Sequence, residues 1–287
     1  MSEKLFSKLR AYALLMRLHQ PVGFFLLLWP TLWAFWIASS GHPNKFLVFL
    51  FCVGALLIRS AGCVINDIAD HRFDKYVART KNRPLVIGIM SIREAFSLLF
   101  ILFLLAFLLT LFMNHLTIML AFIGAFLAIF YPFAKRFTYL PQSFLGLAFA
   151  WGVPMAFAAQ TESVPLIAWY VYLIAGLWTF TYDTIYAMVD REDDKKIGIK
   201  STALLFNKFD RLIIFILQII LLLMLITLGI KLNLNKYYYL SILLVLCLFI
   251  YQHILIKQRD PKKCFKAFLN NQWVGLVVFL GLVFGMS

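Results

Sequence analysis

The sequence predicts an all-α integral membrane protein with nine transmembrane helices around a central cavity that opens to the cytoplasmic face. Three observations carry this expectation. Of 287 residues, 63% are hydrophobic and only 14% are charged, far outside the range of soluble domains. Apolar runs long enough to cross about 30 Å of hydrocarbon recur nine times along the chain. Eight of the thirteen acidic residues fall in two short windows, 67–74 and 183–194, each closing one of those runs.

The elements follow in order. The first twenty residues carry Lys4, Lys8, Arg10 and Arg17 and run directly into an apolar stretch. No small-residue cleavage site follows, so no removed targeting segment is read, and Glu3 in a short amphipathic start argues against a transit peptide. The spans are placed at 22–40, 46–66, 95–113, 116–134, 143–160, 165–187, 211–231, 237–256 and 267–286. Helices are the expectation, because runs near this length without strict alternation do not fit barrel strands. The loops at 67–94 and 188–210 are long, and long loops gathered on one face point to function.

Lys and Arg fix the orientation. With the amino terminus cytoplasmic, inner segments hold 23 of them and outer segments only Lys45, Lys231 and Lys236, while Arg59 lies inside the second span. This is a strong positive-inside bias, and it leaves the carboxyl terminus on the outer face. The net charge of +14 is therefore topological, and nucleic acid is not an expected partner. Residues 1–287 read as one membrane domain. It comprises two similarly oriented four-helix units, each bearing an acidic window, plus a ninth helix. Cys52, Cys63, Cys247 and Cys264 form no metal or disulfide pattern and read as structural.

Carboxylates this dense repel one another and cost heavily to desolvate, so a cation between them is expected. If the second span stays helical into its window, Asn66, Asp70 and Asp74 lie within about 80° of one face. Asp183, Asp190 and Asp194 lie within about 40° of each other on the sixth. Two facing stripes of oxygen ligands suit Mg²⁺, which prefers a few carboxylates plus phosphate oxygens and water. Asp67 and Asp193 fall off the stripes, as partners or caps. No EF-hand loop favours calcium, and no Cys/His set favours zinc. Arg72, Arg79, Lys81 and Arg83 follow the first window, Lys195, Lys196 and Lys200 the second, and Lys135 and Arg136 follow Tyr131 and Pro132. Such groups serve either as phosphate ligands or as inner-face anchors. Intramembrane acids also mark ion paths, so a cation-coupled transporter is the alternative from another class. It predicts acids near mid-bilayer on broken helices, whereas these windows close spans and lack Gly and Pro.

At these residues the chain resembles the UbiA superfamily of membrane aromatic prenyltransferases, in its branch acting on 4-hydroxybenzoate in bacterial ubiquinone biosynthesis. The resemblance runs from Arg17-Leu18-His19-Gln20-Pro21 and Leu28-Trp29-Pro30-Thr31-Leu32-Trp33 through most of the spans. It includes Ala61-Gly62-Cys63-Val64-Ile65-Asn66-Asp67, Arg79-Thr80-Lys81-Asn82-Arg83-Pro84-Leu85 and Tyr131-Pro132-Phe133-Ala134-Lys135-Arg136. The second acidic window and Lys196-Ile197-Gly198-Ile199-Lys200-Ser201-Thr202 are its most specific part. Glu192 stands where close relatives are expected to have Asp, off the stripe. The resemblance implies that Asn66, Asp70, Asp74, Asp183, Asp190 and Asp194 carry Mg²⁺, with Asp70 and Asp190 foremost. It implies that Arg79, Lys135 and Tyr131, with Lys200 beside them, hold the diphosphate of a polyprenyl donor, and that Arg136, or less directly Arg17, orients the carboxylate of 4-hydroxybenzoate. It implies a multi-pass protein of the bacterial inner membrane, with sister activities on naphthoate, homogentisate or haem as alternatives.

Overall fold

A computed structural model describes residues 3–71, 74–76 and 80–287. The described residues form helices and turns without a strand. In chain order the helices are α1 (Glu3–Leu15), α2 (Val22–Ala38), α3 (Lys45–Asp70), α4 (Ile92–Thr110), α5 (His115–Phe137), α6 (Pro141–Ala150) and α7 (Gly152–Thr161). Then come α8 (Leu166–Ile197), α9 (Thr202–Phe206), α10 (Asp210–Lys231), α11 (Lys236–Leu255) and α12 (Pro261–Gly285). Among the described residues seven helical segments are long and apolar enough to cross a membrane, and α2 is a shorter apolar helix.

Local chemistry sets the boundaries. Asn44 caps α3 by accepting hydrogen bonds from the Phe46 and Leu47 amides at 3.0 and 3.3 Å, and Asn114, Asn235 and Asp260 begin α5, α11 and α12 in the same way. Ser91 and Glu94 form a capping box at α4, satisfying two amides that have no partner within the helix. Gly198 ends α8 in the left-handed region at φ 72°, a conformation that costs glycine little.

The structure amends three boundaries. The expected span at 143–160 is two helices meeting at Trp151, because Pro154 cannot donate to the Ala150 carbonyl and its ring crowds that turn. The last helix begins at Pro261 rather than 267, since Asp260 caps it and proline suits its first turn. α3 stays helical to Asp70 and α8 to Ile197, so each acidic window continues a helix. Asp74 instead sits in a 3-10 turn after α3. At 32 residues α8 is about 48 Å long, well over the thickness of the hydrocarbon.

α8 is the central strut, packing against α2, α6, α7, α10 and α12, while α3 packs against α2, α4 and α5. Trp33 and Tyr182 flank the buried Trp178, each with ring centroids 5.2 Å away. The Trp178 indole donates to Asn271 Oδ1 at 3.1 Å, tying α8 to α12. α6 crosses α8 closely enough that a methyl on Gly146 would stand 2.8 Å from the Gly176 carbonyl oxygen. Close backbone approach through small residues is how membrane helices gain contact without a hydrophobic drive.

Candidate active site

α3, α5 and α8 converge at one end of the bundle on a cavity of about 510 Å³. The spacing of α3 explains what it presents there. Arg59, Cys63, Asn66 and Asp70 recur at four, three and four residues, which on a helix places them within about 60° of one face. All four line the cavity. Tyr131 and Lys135, one turn apart on α5, line a second wall. Asp183, Asp190 and Asp194 come from the uninterrupted length of α8, and Arg17, Asp74 and Lys200 complete the predicted residues on the lining.

The acids are held in specific ways. Lys135 Nζ donates to Asp70 Oδ2, while the buried Asp70 Oδ1 has no hydrogen-bond partner among the described residues. Arg83 donates to Asp74 Oδ2 at 2.5 Å. Burial pushes the Asp74 carboxyl above its ordinary value; Arg83 opposes this and Asp70 reinforces it. Among the described residues no three metal-ligating side chains already form a closed cage. An open site is what Mg²⁺ needs when it shares its coordination with phosphate and water, and the orphan oxygen of Asp70 fits such an ion.

Asp67 is off the cavity, as its position off the stripe suggests. It is buried and meets Arg17 Nη2 at 2.6 Å and Arg83 Nη1 at 3.0 Å. On the other side Asp210, fully buried, meets Arg191 at 3.0 Å and Arg259 at 2.7 Å. Each acidic window is thus braced by a buried aspartate gripped by two arginines. Asp193 pairs with Lys196 at 3.6 Å, turned aside from the lining.

Of the predicted residues that the structure describes, Arg136 is not brought to the cavity. Arg79 lies outside the described residues, as does Arg72. Arg136 is exposed and off the lining. Its guanidinium donates to the Ala69 carbonyl at 2.5 Å and lies over Phe133. Adjacent residues on a helix point about 100° apart, so with Lys135 inward Arg136 cannot also face in, and it covers an end carbonyl of α3 instead.

Sequence reasoning passed over Arg59, counting it only as a charge inside a span. Its Nη1 donates to Cys63 Sγ, and its buried Nε has no partner among the described residues. No carboxylate among the described residues pairs with it. A guanidinium so placed is costly unless an anion arrives. The signal was available, since Arg59 shares the stripe of Asn66 and Asp70.

Comparison with known proteins identifies the family and the fold. The UbiA prenyltransferase family model matches residues 27–282. A 4-hydroxybenzoate octaprenyltransferase of Vibrio campbellii is 54% identical over 276 residues, covering 96% of this chain and 97% of its own. One of Coxiella burnetii is 53% identical over 272 residues, covering 95% of each chain. Among solved structures, the apo UbiA homolog from Aeropyrum pernix K1 superposes with a TM-score of 0.79 at 24% identity, over 92% of this chain and 98% of its own. The Archaeoglobus fulgidus homolog bound to GPP and Mg²⁺ gives 0.73 at 18% identity, over 96% and 98%. With near-complete coverage by a family model and by close relatives, the chain belongs to the UbiA prenyltransferase family.

Proposed function

We propose that this protein is a Mg²⁺-dependent 4-hydroxybenzoate polyprenyltransferase of ubiquinone biosynthesis. It moves a polyprenyl group from its diphosphate to the ring carbon ortho to the hydroxyl, giving 3-polyprenyl-4-hydroxybenzoate and diphosphate. The observation that carries this reading is the shared cavity, lined by acids of α3 and α8 and by Arg59, which no carboxylate among the described residues pairs with. The names of relatives more than half identical over nearly the whole chain support it.

Asn66, Asp70 and Asp74 from one side and Asp183, Asp190 and Asp194 from the other would hold Mg²⁺, which when bound neutralises charge developing on the leaving diphosphate. Lys135 and Lys200 line the same space and supply cationic donors to the diphosphate oxygens, while Arg83 there holds Asp74 and Asp67 in place. Arg79 belongs to the same basic group by sequence. As the C1–oxygen bond breaks, the allylic cation meets Tyr131, Tyr182 and Tyr186 on the cavity wall, whose ring faces favour positive charge. The phenol ring then attacks C1, and its ring proton is lost to restore aromaticity. Arg59 and Asn66 are seven residues apart, about 10 Å along α3. A benzoate fits that interval with its carboxylate on Arg59 and its hydroxyl edge toward the donor. Arg59 takes the carboxylate role first expected of Arg136, and Arg17 is already engaged with Asp67.

We further read nine spans, adding α2 and the apolar part of α8 to the seven. The site and the amino terminus are cytoplasmic and the carboxyl terminus periplasmic, in a bacterial inner membrane. Two four-helix units and a ninth helix form one domain. Purified protein in vesicles, given labelled polyprenyl diphosphate, Mg²⁺ and separate 4-hydroxybenzoate, naphthoate and homogentisate acceptors, is expected to prenylate 4-hydroxybenzoate selectively and to stop when EDTA removes the metal. Undiminished turnover in EDTA, or no product with the benzoate, would overturn this reading.

A further inference from the structure

Arg59 is fixed from two sides. Its Nη1 is tied to Cys63 one turn along α3. It also meets Gly23, in the first turn of α2. A methyl on Gly23 would stand 2.7 Å from Arg59 Cζ and nearer still to Nε and Nη2. The guanidinium occupies the volume that any side chain at position 23 would need. Gly23 is helical, not in the left-handed region, so the backbone there does not require glycine. In a helix glycine is the less stable choice beside alanine, so what its missing side chain provides is space.

We propose that Gly23 is a positioning residue that sets acceptor specificity by holding the Arg59 guanidinium where the carboxylate of the aromatic acid docks. The inference rests on the reading that Arg59 binds that carboxylate. A side chain at 23 would meet Arg59 at Nη2, Nε and Cζ, while Cys63 holds Nη1, so a substitution there moves the guanidinium and touches none of the acids that line the cavity. Displacing a binding group by about 1 Å weakens its use by up to about 100-fold.

The test compares Gly23→Ala, Arg59→Gln and the double variant in vesicles. Gly23→Ala is expected to raise KM for 4-hydroxybenzoate by about 10- to 100-fold while KM for the polyprenyl diphosphate and the Mg²⁺ dependence stay at wild-type values. Retained donor affinity also shows that the variant folds. In the Arg59→Gln background Gly23→Ala should add no further rise, since residues acting through one contact are not additive. An unchanged acceptor KM in Gly23→Ala, equal losses for donor and acceptor, or a full additional rise in the double variant would each overturn the proposal. If Arg59→Gln itself leaves the acceptor KM unchanged, the carboxylate reading fails. If Arg59→Gln is impaired and Gly23→Ala is not, only the role of Gly23 fails.

Discussion

Asp70→Ala is expected to lower kcat by at least about 10²- to 10³-fold, and Asp190→Ala to do the same from the opposite wall. Asp70 carries the orphaned buried oxygen and is the acid to which Lys135 is tied. In the proposed reading its loss would remove a metal ligand and release a cation that should face the diphosphate. Both effects fall on the moment when the leaving group gathers charge, so the loss should appear in kcat. Asp193→Ala is the control, because its carboxylate pairs with Lys196 away from the cavity. Prenyl transfer measured at saturating Mg²⁺ separates the cases. Wild-type kcat in Asp70→Ala, or equal damage in Asp193→Ala, would reject the assignment.

The second large effect concerns stability. Asp210→Ala is expected to destabilise the fold by about 3 kcal/mol, the lower end for breaking a buried ion pair, because Arg259 keeps some access to solvent. Asp210 is fully buried and receives donors from Arg191 and Arg259. Its hydrogen bonds and charge raise the Arg259 guanidinium above its ordinary value. Without the carboxylate two like charges are left together at the junction of α8, α10 and α12. Arg191 is adjacent to Asp190, so the loosened segment is the one that bears half of the site. A thermal melt in detergent, followed by size-exclusion chromatography, should show a clear drop in midpoint. A midpoint equal to wild type would show that the two arginines find water instead.

Much of this was written in local pattern. Apolar run length foretold the helices, and the spacing of Asp183, Asp190 and Asp194 needed only an unbroken α8 to bring them to one face. Lys135 and Arg136 could not be told apart by composition, because the choice depends on the roll of α5 about its axis. Tertiary closure decides that roll. The double arginine grip on Asp67 joins residues 17, 67 and 83, and that on Asp210 joins 191, 210 and 259; separations that long leave no periodic trace. Arg59 was legible and passed over, since a cation was weighed as topology before its register with Asn66 was considered. The break at Trp151 was equally readable from Pro154, had run length not outweighed proline chemistry.

The overhang of α8 has a consequence for the lipid around it. A rod longer than its oily slab must lean or stand proud, and the close crossing at Gly146 and Gly176 leaves it little freedom to lean independently of its neighbours. In the proposed nine-span reading, the height of Asp190 and Asp194 above the acyl chains would therefore follow slab thickness. Longer acyl tails would draw those carboxylates toward oil, where a bare charge is expensive, so the membrane's own depth becomes a tuning parameter of the chemistry.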